Sequence, residues 1–138
     1  MQDVAWWFAS GGSFMYAVLT AGCACTTLWV PVLVMALLLR KGSGRRAAQA
    51  VTLLYAAGTL LPLALGAMGW QIGLANVEQA LAYVDPDQAA ELEAYGRAEA
   101  SVPLRFGSVT TILLAFGALV PVLLALRPAA DAEEAPNG

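Results

Sequence analysis

The chain has no histidine, only two cysteines, and charge on just 12% of its 138 residues. Without histidine there is no imidazole to serve as a base near neutral pH or to complete a catalytic triad. Two cysteines two positions apart supply neither a zinc set nor a disulfide framework, and no haem ligand set is in sight. Seven basic against ten acidic residues give a net charge of −3, which offers no basic field for nucleic acid. The pattern contains no nucleophile–base pair, no metal set and no phosphate-cradling loop, so the chain reads as a non-enzyme without cofactor or metal.

What the sequence has in abundance is apolar surface: 59% of residues are hydrophobic and the mean hydropathy is +0.67. The few charges are segregated. None falls between Val4 and Leu39, between Ala47 and Val77, or between Phe106 and Leu126. Each gap exceeds the roughly 20 residues that span a ~30 Å hydrocarbon core as a helix. The expected fold is therefore all-α, with membrane spans at about 14–39, 47–77 and 102–126 in one domain and lipid as its surroundings. Leu19-Thr20-Ala21-Gly22-Cys23 loosely resembles a lipoprotein cleavage box. However, no basic residue precedes the apolar stretch and it continues through Trp29 and Leu37, so a span is the better reading.

Trp6, Trp7 and Phe8 before Gly11-Gly12-Ser13 suggest an interfacial segment, then a flexible break, then the first span, with Pro31 as a possible kink site. Arg40, Lys41, Arg45 and Arg46 crowd one short loop without an acid. The positive-inside rule places that loop in the cytoplasm and the N-terminus outside. The stretch 78–101 is an acidic, amphipathic outer excursion, read as two helical pieces broken at Asp85-Pro86 and capped by Asp85 or Asp87. Pro103 suits the first turn of the last span, which Arg127-Pro128 ends on the cytoplasmic side. Residues 129–138, acidic and poor in apolar side chains, read as a disordered tail.

Small residues at helical spacing mark close helix packing: Gly66, Gly69 and Gly73 in the second span, Gly107, Thr111, Ala115 and Ala118 in the third, and Ala17, Ala21 and Ala24 in the first. They serve packing within the chain or between subunits. Three bare helices have little interior in which to hide them, which favours a homo-oligomer. Polar groups at membrane depth are sparse. Most threonines can satisfy their hydroxyls on the preceding turn, whereas Gln71 and Asn76 are better placed for contacts between helices. No ionisable residue lies deep in a span, so the chain lacks its own proton relay; Glu99 and Arg105 are the nearest such groups. Cys23 and Cys25 fall on different helix faces and read as small packing residues.

Three segments are similar to the MotA/TolQ/ExbB proton-channel family. Gly11-Gly12-Ser13-Phe14-Met15-Tyr16-Ala17-Val18-Leu19 resembles the family's approach to its first span, with Ala17 in place of a proline. Leu65-Gly66-Ala67-Met68-Gly69-Trp70-Gln71-Ile72-Gly73 matches its second-span glycines in register. Gly96-Arg97-Ala98-Glu99-Ala100 followed by Gly107 resembles the start of its last span. The resemblance implies a ring-forming subunit, a pentamer, in a bacterial inner (cytoplasmic) membrane. Its pore would hold partner helices in an ion-driven transport or motor complex. It further implies a single-span partner protein that supplies a carboxylate, with Glu99 at the outer mouth. The family's ion-path threonines correspond here to Trp70 and Leu104, and its large cytoplasmic domain shrinks to residues 40–46. A wet lumen would turn Gln71, Thr59 or Ser108 inward, and a dry one Trp70 and Leu104. The competing expectation is a non-conducting structural or accessory subunit of a larger membrane complex.

Overall fold

The computed structural model describes residues 2–39 and 44–126, with side chains from residue 12 onward. Residues 40–43, Arg127 and the tail expected to be disordered at 129–138 lie outside them, as do the side chains of Trp6, Trp7 and Phe8. The described chain is helical without a strand: α1 (Gln2–Leu38), α2 (Arg45–Gly58), α3 (Leu61–Leu81), α4 (Pro86–Ala100) and α5 (Val102–Leu126). Three stretches are long and apolar enough to cross a membrane, Gly12–Leu38, Arg45–Leu81 and Pro86–Leu126, as expected of an integral membrane protein.

Helix breaks follow covalent chemistry. Gly12 has φ 58° and ψ −154°, a combination closed to residues with a Cβ, and there α1 changes direction before the span begins. Pro31 stays within helical geometry, so the break comes from glycine alone. The second span is one path of two helices. Pro62 has no N–H for the Gly58 carbonyl, so the chain tightens at 59–60, with Thr59 N–H on Ala56 O at 3.3 Å and Leu60 N–H on Ala57 O at 3.1 Å. Thr59 and Leu60 keep right-handed helical dihedrals, and α3 continues onward from α2.

The excursion is a helical hairpin that lengthens the second and third spans. α3 runs to Leu81, residues 82–85 turn, and Pro86 opens α4 in the first helical turn. Asp85 holds the cap position in extended geometry, yet its side chain makes no cap bond; its carbonyl accepts from Gln88 N at 3.0 Å and Ala89 N at 3.1 Å. α4 passes into α5 through Ser101 in helical geometry, with Pro103 in the first turn of α5. At ~1.5 Å per residue, the 37- and 41-residue arms reach about 55 and 60 Å, against about 40 Å for the 27-residue α1 span. Both arms are thus longer than the α1 span from Gly12 and than a ~30 Å hydrocarbon core.

α3 and α5 pack closest. A Cβ at Gly66 would lie 2.5 Å from the Pro103 carbonyl oxygen, and one at Gly107 would overlap the Pro62 carbonyl, so backbone meets backbone at both places. Gly73 abuts Ala100, Gly96 abuts Val77, and Gly69 takes the Phe14 ring of α1. α1 lies across the α3–α5 pair, and Cys25, Val32, Tyr55 and Ala118 form a core with Trp29, Val51 and Leu114 against it. The glycines are thus spent inside one chain, and the small-residue faces no longer argue for an oligomer. Of the expected small-residue stripes, Ala24 and Ala115 are exposed; in the first span the buried position passes to Cys25, whereas Gly107, Thr111 and Ala118 of the third are buried as expected.

Candidate functional site

The helices are locked by side-chain donors that reach carbonyls of neighbouring helices, three of which lack a helical partner. Pro121, fully buried in α5, leaves the Gly117 carbonyl with no N–H four residues on; the Trp29 indole N–H of α1 donates to it at 2.9 Å. Pro62 likewise frees the Gly58 carbonyl, which the Cys25 thiol approaches at 3.6 Å. Tyr55 Oη donates to the Cys25 carbonyl at 3.1 Å, tying α2 to α1. Near the end of α5, where carbonyls run out of helical donors, Gln49 Nε2 donates to Ala125 O at 3.0 Å.

The first turn of α3 has the complementary need, a spare N–H, and Thr111 of α5 supplies its Oγ1 as acceptor for Leu63 N–H at 3.0 Å. Among the described residues no buried side-chain nitrogen or oxygen lacks a partner. In hydrocarbon each such bond offsets an unsatisfied backbone group, so helix register is set by polar pairs as well as by shape. Thr111→Val, which keeps the shape and removes the acceptor, should cost about 1 kcal/mol and speed deuterium exchange at the Leu63 amide. Thr111→Ser should preserve both, and unchanged exchange in the valine variant would count against this bond.

The residues singled out from sequence do not converge on one centre. Thr59 is buried and its hydroxyl donates to Ala56 O at 2.7 Å; Ser108 is half-buried and donates to Leu104 O at 2.8 Å. Thr20, Thr26, Thr27 and Thr52 do the same one turn back, each within 2.9 Å. Gln71 and Asn76 are exposed, and it is Gln49 that bridges helices instead. Glu99 is half-buried in the last turn of α4, Arg105 is exposed, and Arg97 pairs with Glu93 at 2.7 Å on the hairpin surface. Among the described residues no three thiols or carboxylates converge as a metal set would.

Trp70 and Leu104 share one face. Leu104 lies directly across from Gly66, and Trp70 is one turn beyond Gly66 on α3. α1 packs through Gly69, Thr110 and Gly117. At ~100° per residue, Trp70, Leu104 and Ser108 therefore turn to the side of the α3–α5 pair away from α1. All three are at least partly exposed, and the Ser108 hydroxyl is already bonded to its own helix. Trp29, Gln49 and Tyr55 were not singled out from sequence as polar links. The available signal was proline, since Pro62 and Pro121 each announce a free carbonyl four residues earlier. Comparison with protein-family models, curated proteins and solved structures finds no match to this chain.

Proposed function

We propose that the chain is an ExbB-like integral membrane subunit that assembles with copies of itself around a central partner helix in an ion-driven transport or motor complex. The α3–α5 face away from α1 would be turned inward. The observation that supports this reading is the shared face of Trp70 and Leu104, the two positions at which the resembling family lines its pore. The basic loop between α1 and α2 lies in the cytoplasm of a bacterial inner membrane, and the hairpin lies outside. Any ion path draws its carboxylate from the partner helix, with Glu99 at the outer mouth.

A second reading, a non-conducting structural subunit, is favoured by one feature: the hydroxyls of Thr59 and Ser108 are spent on their own backbone. Such groups lend nothing to a hydrated path. Native mass spectrometry of the gently extracted protein is expected to give a closed ring of about five copies with a small membrane partner. A bare monomer would sink the ring. The protein alone in liposomes should pass no protons above the level of empty vesicles, and addition of the copurified partner should raise flux only under the first reading.

A further inference from the structure

Below the hairpin, α1 fills the seat between α3 and the α4–α5 arm: Phe14 lies against Gly69, Gly22 against Thr110, and Trp29 on Gly117. Toward the tip α1 changes direction at Gly12, and the residues that line the space between α3 and α4 there include none from α1. Ala80 follows Gly69 by about three turns, and Leu92 precedes Thr110 by about five, so both residues stay on the side that α1 occupies lower down. There the structure has an open groove of about 340 Å³, lined by Val77, Ala80, Leu81, Val84, Leu92 and Tyr95.

The groove is apolar but its surroundings are not. The hairpin carries Glu78, Asp85, Asp87, Glu91, Glu93 and Glu99 against Arg97 as the only basic residue from 78 to 100. Arg97 is already paired with Glu93. Glu91 stands one helical turn before Tyr95 of the groove wall and Asp85 follows Val84, whereas Glu78, Glu93 and Arg97 bound a separate recess with Leu74, Val77 and Leu81. Tyr95 adds an aromatic ring that is more than half exposed, a surface that attracts cations.

We propose that this groove seats a basic amphipathic helix belonging to a partner membrane protein, lying alongside the hairpin just beyond the hydrocarbon. The shape calls for a helix, since the same lane one level down is filled by one. The charge calls for lysine or arginine on its outer face and apolar residues beneath. A lipid fits less well, because anionic headgroups are repelled by the carboxylates and an acyl chain gains nothing from them. A second copy in parallel orientation fits less well too, because Arg45 and Arg46 lie at the far end of the helices. Neither ring nor conduction is required; a monomer presents the same groove.

The first probe is a labelled amphipathic helix of about 14 residues, leucine and lysine, with a leucine and glutamate helix as control. Both are titrated onto the full chain in nanodiscs of zwitterionic lipid. The lysine helix is expected to bind and the glutamate helix not. Ala80→Trp, which fills the groove, should weaken binding about tenfold, and Asp87→Asn with Glu91→Gln about fivefold, an effect that fades as salt rises. Binding that ignores Ala80→Trp would reduce the attraction to surface charge and overturn the groove.

The second probe is a photo-crosslinker at Leu92 in the full chain in its own membranes, with the adduct sequenced. A basic amphipathic segment of another membrane protein supports the proposal. Adducts only to lipid, to a second copy or to residues 2–11, or none while the same crosslinker at the exposed Leu113 labels normally, overturn it. A groove that binds the lysine helix in a protein shown to be monomeric would separate this result from the fate of the ring.

Discussion

Gly107→Leu is expected to unseat α5 from α3 and to lower stability by about 3 kcal/mol or more, the upper range for overpacking against atoms that cannot give way. The reason is what the new side chain meets. A Cβ at 107 runs into the Pro62 carbonyl, with the Gly66 Cα 3.3 Å away, so the obstacle is backbone rather than a flexible side chain. Gly107→Ala should already be destabilising, although alanine favours a helix over glycine by about 1 kcal/mol in isolation. Gly58 provides the control: it is helical and a Cβ there meets nothing within 4 Å, so Gly58→Ala should be neutral or slightly stabilising. Reversible unfolding in mixed detergent, followed by helical circular dichroism, compares the three. Equal midpoints for Gly107→Ala and Gly58→Ala would refute close backbone packing at Gly107.

The second large effect is expected at the Trp29–Gly117 bond. Trp29→Phe retains most of the ring and removes the N–H, leaving the Gly117 carbonyl with neither a helical nor a tertiary donor. A loss of about 1–2 kcal/mol follows from an unsatisfied acceptor in apolar surroundings. The diagnostic is non-additivity. Pro121→Ala restores an N–H four residues after Gly117, so in that background Trp29→Phe should cost about 1 kcal/mol less than in the native chain. Pro121→Ala carries its own packing penalty, since Pro121 is fully buried, but that penalty is common to both arms of the cycle. Strictly additive losses would mean that Trp29 acts by packing alone.

The three spans were readable because exclusion of charge from hydrocarbon is a one-dimensional rule. The gaps ending at Leu39, Val77 and Leu126 correspond to helices ending at Leu38, at Leu81 and at Leu126. The breaks at Gly12 and at Asp85-Pro86 were readable for a similar reason, since φ preference and a missing N–H belong to single residues. The break at 59–60 could have been read from Pro62 by the same logic. By contrast, the partners of Gly66, Gly69 and Gly73 could not be read. Small residues state that something approaches closely without stating what, and the preference for another subunit gave way to Pro103, Phe14 and Ala100 of the same chain. Gln71 looked like an interhelical group because it is an amide at membrane depth. The helical phase of α3 turns it outward, while Gln49, nearer a helix end, reaches the spare carbonyl of Ala125.

By itself the sequence determined that this protein is helical, where its chain crosses apolar surroundings, and where each helix yields. Those outcomes depend on transfer free energies and dihedral limits that act locally. Only the tertiary structure decided which face of each helix meets which neighbour. It spent the glycines within the chain, paired proline-freed carbonyls with Trp29 and Cys25, and left an apolar groove open between α3 and α4. Those outcomes depend on the relative rotation and offset of helices, which the sum of many weak contacts and a few obligatory hydrogen bonds sets, and which no single residue encodes.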